Sequence, residues 1–206
     1  MRPERPHNLK TRPKSVILAF DTTAAHCAAA LLCDDQILAV RVDPMAKGQA
    51  EHLMGMLAEV LAGHGFTWTH LTAIGVGTGP GNFTGIRISV AAARGLALGL
   101  GIPAIGVDGF DAAAFGLPRP LTVAIPAPRD MAYLQAYSDS GPQTPRLVEL
   151  SKIGPAILPG LAADMIVAVA RIAAARAATP QPRPAPLYVR PPDAAPSRDA
   201  APVLLP

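Results

Sequence analysis

Cysteine is nearly absent from this chain, with two residues in 206. Cys27 and Cys33 lie six positions apart on what reads as one strand. At roughly 3.3 Å per residue they would sit about 20 Å apart, too far for a disulfide. Both thiols are therefore expected to be reduced, and the chain is read as cytoplasmic. Aromatic residues make up 4%, which leaves little surface for stacking bases and weakens any single-stranded nucleic-acid reading. Long apolar runs are also lacking. The best, residues 95–107, contains Pro103 and falls short of the roughly 18–20 residues a membrane span requires. Charge of one sign is missing from the body. Residues 1–14 carry five basic groups (Arg2, Arg5, Lys10, Arg12, Lys14) against Glu4, so the net +3 of the whole chain leaves −1 for the rest. A compact basic patch for RNA or DNA is not evident from that distribution.

What is abundant is apolar side chain, 50% of residues, which excludes a chain disordered throughout. The 23 prolines are concentrated, nine of them falling in residues 179–206. That tail is expected to be extended and mobile apart from a strand-like stretch at 187–190. The basic leader 1–14 has no apolar core segment of a signal peptide and is expected to be a disordered extension.

Between these ends the pattern is that of alternating elements. Residues 15–20 (SVILAF) read as a buried strand ending in Asp21-Thr22-Thr23. Residues 27–32 and 37–42 flank Asp34-Asp35-Gln36 as a hairpin. Residues 49–63 carry Leu53, Met56, Leu57, Val60 and Leu61 at helical spacing. A strand at 73–77, a glycine-rich turn at 77–85, a helix at 85–100 and a strand at 104–107 follow. Further on, strands are expected at 121–125, 131–137 and 146–150, and a helix at 161–177. A βββαβα order implies a mixed α/β sheet with an antiparallel edge and flanking helices. This is the order of one lobe of the actin/hexokinase-type (ribonuclease-H-like, ASKHA) fold. The expected organisation is an N-terminal lobe at 15–115 and a smaller, abbreviated one at 116–178.

The turn Gly77-Thr78-Gly79-Pro80-Gly81-Asn82-Phe83-Thr84-Gly85 is the most informative stretch. Its glycines either let N–H groups converge on an anion at a helix N-terminus or permit a tight structural turn. It matches neither G-x-G-x-x-G nor a Walker loop. The run GPGNFTGIRISVAAARGLALG (residues 79–99) closely resembles the signature of the bacterial TsaB (YeaZ) family, which takes part in making threonylcarbamoyladenosine in tRNA. ILAFDTT (17–23), AEHLMGMLAEVL (50–61) and, weakly, PLYVR (186–190) extend the resemblance, which covers residues 15–115 well. It implies an actin/hexokinase-type fold shared with the catalytic paralogue TsaD. The implied role is a non-catalytic subunit that binds and activates a TsaD-type enzyme, with a TsaE-type ATPase in the larger complex. A homodimer of the isolated chain is also allowed, and tRNA is engaged only indirectly.

Chemistry of the chain's own is expected to be lacking. TsaD-type proteins carry His-x-x-x-His on the first helix, where two imidazoles one turn apart can bind a divalent metal. Here Met56 follows His52, and a thioether is a poor ligand for a hard or borderline cation. His52 alone reads as a solvated or interface residue, and His64 as a partner of the helix C-terminus. A small-molecule kinase or ATPase of the same fold is the alternative function. It would need glycine-containing phosphate turns, but Asp21-Thr22-Thr23 has no glycine and Pro126 and Pro128 remove N–H donors. Asp21 either holds a cation through water or caps its own turn. No G-x-S-x-G occurs, and neither Cys sits in an electropositive context. No metal or cofactor is expected.

The two helices instead suggest an interface. In the first, apolar residues spread over roughly 200° of the circumference, wider than one core contact needs. In the second, Ala91, Gly95 and Gly99 recur every four residues. Such a face packs inside the chain or against a partner, and TsaB relatives use these helices to pair with TsaD or with themselves. The expected interface comprises His52, Leu53, Met54, Met56, Leu57, Ala58 and Leu61 of the first helix. From the second it takes Arg87, Ala91, Arg94, Gly95, Leu98 and Gly99.

Overall fold

A computed structural model describes residues 13–189. Most of the leader, the end of the tail and Arg190 of the PLYVR stretch lie outside the described residues. Three strands come first, β1 (Val16–Asp21), β2 (His26–Cys33) and β3 (Gln36–Pro44), followed by helix α1 (Gln49–Ala62). Then come β4 (Ala73–Gly77), α2 (Phe83–Leu100), β5 (Ala104–Val107) and the short α3 (Gly109–Ala113). The remainder is β6 (Leu121–Ala127), β7 (Met131–Ser138), β8 (Gly141–Pro142), β9 (Arg146–Glu149) and α4 (Ala162–Arg176).

The first sheet has the order β3-β2-β1-β4-β5. Its β1–β2 and β2–β3 pairs are antiparallel, while β1–β4 and β4–β5 are parallel. The parallel side must be covered on both faces, and it is. Alternate residues of β1 point to opposite faces. Leu18 and Phe20 meet the Leu53, Met56, Leu57 and Leu61 stripe of α1, and Ala93 of α2, on one face. Ile17 and Ala19 meet Ile166, Val169, Ala170 and Ala173 of α4 on the other. Burying each large side chain contributes about 1.5–3 kcal/mol, so the α1 stripe alone sets that helix firmly on the sheet. Gly75 of β4 shows how close α4 lies: a Cβ there would stand 2.9 Å from the Ala173 Cβ.

Several expectations change in three dimensions. Helix α2 begins at Phe83, two residues earlier than the glycine pattern suggests, because Asn82 is its N-cap and accepts the Gly85 N–H at 2.8 Å. Over its 18 residues it has a mean hydropathy of 1.3, and by length and composition it could cross a membrane. The apolar-run reading missed this because Arg87 and Arg94 interrupt the run. In the fold α2 packs on β4.

Helix α4, assigned from sequence to the later lobe, lies on β1, β2 and β4 of the first sheet, where its small residues Ala170 and Ala173 share a core with Ala19, Ala28, Ala30 and Ala73 of the strands. The second sheet is built around β7, which pairs with β6 on one edge and with β8 and β9 on the other. Phe110 and Ala114 form a small core with Val123 of β6 and Tyr137 of β7. The tail expected to be mobile is docked over its described part. The Leu187 N–H donates to the Thr78 carbonyl at 2.8 Å, Pro184 is buried, and Leu187 and Val189 pack against the Phe110 cluster.

Candidate functional site

The glycine-rich turn is pressed against the turn that follows β1. A Cβ at Gly77 would collide with the Asp21 carboxylate, one at Gly81 with the Thr23 carbonyl, and one at Gly85 with the Thr22 carbonyl. Hydrogen bonds join the same two turns: Thr22 Oγ1 donates to the Gly85 carbonyl at 2.6 Å and the Asn82 N–H to the Thr23 carbonyl at 2.6 Å. Gly79 has φ +94° and its carbonyl accepts the Gly109 N–H at 2.7 Å. Pro80 is buried, and Gly81 and Thr84 are exposed. The Asp21 carboxylate and the carbonyls of Thr22 and Thr23 thus lie directly against these glycines, and close approach is what the missing side chains permit. Asp21 caps its own turn, accepting the Thr23 N–H at 3.2 Å and the Thr23 hydroxyl at 2.9 Å, with His26 Nε2 3.1 Å away. Buried Gln49, absent from the sequence reading, donates to the carbonyls of Ala24 (2.7 Å) and His26 (3.0 Å), pinning that turn.

A cleft of about 700 Å³ opens between the two sheets, with Asp21, His26 and Asn82 on one wall and Pro126, Pro128 and Tyr133 on the other. The proline wall offers two fewer N–H donors for a phosphate. His52 is not among the residues lining the cleft; its Nε2 lies 2.6 Å from Asp43 on the edge strand. Arg41 and His52 together hold the Asp43 carboxyl below its ordinary range, the Arg41 hydrogen bond contributing most. Met56, one turn on, is buried at 1% exposure in the core and points at no ligand site. His64 Nδ1 meets the Val60 carbonyl at 3.0 Å, at the end of α1. Burial, with Asp43 and Asp21 nearby, pushes the Cys27 thiol up to about 11, and burial also raises Cys33. Both thiols are protonated, poorly nucleophilic groups at neutral pH.

The expected interface divides in two. Leu53, Met56, Leu57 and Leu61 are 0–1% exposed and form the core under α1. They are corrected to structural residues, because the stripe they form is the one that fastens α1 to the sheet. Exposed instead are Met54 on α1 and Arg87, Ala91, Arg94, Gly95, Leu98 and Gly99 on α2; His52 and Ala58 are half-buried. Leu98 is 85% exposed. A Cβ at Gly55, Gly95 or Gly99 would meet nothing within 4 Å, so no neighbour among the described residues accounts for these three glycines. The two arginines are held by the docked tail. Arg94 Nε donates to the Pro184 carbonyl at 2.6 Å. Arg87 Nε donates to the Tyr188 hydroxyl at 2.9 Å, and its guanidinium carbon lies 3.8 Å from the centre of the Phe83 ring. In sequence the only signal for this strap was the PLYVR stretch.

Comparison with known proteins follows the same lines. The model of the family described as TsaD, tRNA N6-adenosine threonylcarbamoyltransferase, matches residues 43–186, more than two-thirds of the chain. The tRNA threonylcarbamoyladenosine biosynthesis protein TsaB of Escherichia coli is 37% identical over 92 residues, 45% of this chain and 39% of that protein. An uncharacterized protein of Mycobacterium tuberculosis is 32% identical over 145 residues, 69% of this chain and 64% of that one. The chain thus spans only about two-fifths of the length of the TsaB relatives it matches. Among solved structures, YeaZ from Pseudomonas aeruginosa superposes with a TM-score of 0.67 at 22% identity, over 84% of this chain and 99% of that one. That likeness establishes the actin/hexokinase-type fold. The glycine-rich turn, the helix pair and these matches together place the chain in the TsaD family, in its TsaB/YeaZ branch.

Proposed function

We propose that this chain is a non-catalytic subunit that binds and activates a TsaD-type threonylcarbamoyltransferase during formation of N6-threonylcarbamoyladenosine in tRNA. The observation that carries the reading is the outer face of α1 and α2. Small residues leave Gly55, Gly95 and Gly99 open to solvent, beside exposed Met54 and Leu98. A glycine inside a helix costs about 1 kcal/mol relative to alanine, and a partner backbone approaching closely would offset it. The interface on this reading comprises His52, Met54, Ala58, Arg87, Ala91, Arg94, Gly95, Leu98 and Gly99. A TsaE-type ATPase joining the complex, a homodimer through the same face, indirect tRNA engagement and a cytoplasmic location belong to the same proposal.

The test is Gly95→Leu. Since the position is open in the isolated chain, the melting temperature should hold or rise. Overpacking at the contact, about 1–3 kcal/mol, should weaken association with the TsaD-type subunit by roughly 5- to 150-fold, read by calorimetry. A variant that binds as the wild type does would remove α2 from the interface.

A further inference from the structure

We infer that the groove at the C-terminal end of α2 receives an acidic segment of the partner subunit, anchored by an apolar side chain. The inference rests on the pairing proposed above and names a contact that the helix face alone does not provide. The groove has a volume of about 570 Å³ and lies between the end of α2, the residues leading into β5 and the docked tail. Its floor is apolar, with Leu98, Ile102, Pro103 and Pro184, while Arg94 and Arg183 stand along it and no carboxylate lines it.

Leu98 and Arg94 belong also to the exposed face of α2, so the groove continues that surface. Arg94 is committed in part to the Pro184 carbonyl, which fixes the tail as the groove's wall. Arg183 forms no ion pair among the described residues. A guanidinium beside an apolar trough fits a carboxylate next to an aliphatic or aromatic residue, and a planar guanidinium can pair with a carboxylate through two hydrogen bonds. The lining contains no aromatic ring, so it has no platform on which nucleic-acid bases would stack.

The experiment is binding of the full chain to its own TsaD-type paralogue, at about 50 mM and about 500 mM salt, for wild type, Arg183→Glu and Arg183→Lys. Arg183→Glu should weaken binding at least tenfold at low salt, with the gap narrowing at high salt, and Arg183→Lys should retain most of the affinity. If the wild type itself does not bind, the pairing proposal fails. If it binds and Arg183→Glu binds equally well, the pairing stands and the groove assignment falls. A loss of tRNA affinity in Arg183→Glu with unchanged paralogue binding would make the groove a nucleic-acid contact and overturn the assignment. So would removal of residues 190–206 that both raises paralogue affinity and abolishes the effect of Arg183→Glu, because the chain's own end would then be the occupant.

Discussion

At the scale of single residues, glycines that look equivalent in sequence have opposite surroundings. Gly85 is packed on the Thr22 carbonyl, whereas Gly95 faces open space. Asp108 is a second case in which environment decides behaviour. It caps α3, its carboxylate accepting the Asp111 N–H at 2.8 Å. Asp111 in turn accepts from the Tyr137 hydroxyl (2.9 Å) and from Arg176 (2.6 Å). Burial, and then the Asp111 charge, push the Asp108 carboxyl up to about 6 from 3.8. A folded-state value above the unfolded one means that the folded chain holds its proton longer. The associated stability is present in full below about pH 4 and is lost as pH rises through about 6. Asp108→Asn keeps the cap and removes the charge. It should stabilise the chain at pH 7.5 by about 1–3 kcal/mol, several degrees of melting temperature, and have little effect near pH 4. Parallel melting curves of wild type and variant across that range would check it, and a constant offset would contradict the assignment.

Among elements, the docked tail is the one whose role composition obscured. Proline-rich sequence excludes helix and sheet interior, yet an extended segment can still dock if its remaining N–H groups find partners. Leu187 does so on Thr78, beside Phe83 and Tyr188, whose rings lie 5.2 Å apart. Leu187→Pro removes that donor and leaves a buried carbonyl unpaired, at a cost of about 1–3 kcal/mol. The expected result is a melting temperature several degrees lower; an unchanged melt would show the strap undocked in solution. The same strap carries Pro184 and Arg183, so a docked tail is also a condition for the groove beside α2.

For the whole molecule, charge distribution sets the terms with tRNA. The basic groups concentrate in residues 1–14 and the remainder is net −1. Removing those residues should leave little RNA affinity, and whatever the full chain shows should fall steeply with salt. Tight, salt-resistant binding by the shortened chain, measured by mobility shift, would reveal a folded basic surface that composition conceals.

Sequence alone determined the order of elements through β5, because period-2 and period-3.6 patterns report which faces are buried. It also determined that Met56 stands one helical turn after His52 and that the turn after β1 has no glycine in Asp21-Thr22-Thr23, because these depend on residue type at fixed spacing. Tertiary structure decided which apolar residues of α1 are core and which are surface: a 200° arc contains both, and only the position of the sheet separates them. It decided that α4 covers the first sheet, since a small apolar helix face fits any alanine-rich surface and periodicity names no partner. It also decided that Arg87 and Arg94 bind the tail about ninety residues or more away in sequence, a contact with no local signature because it is made only when distant segments meet.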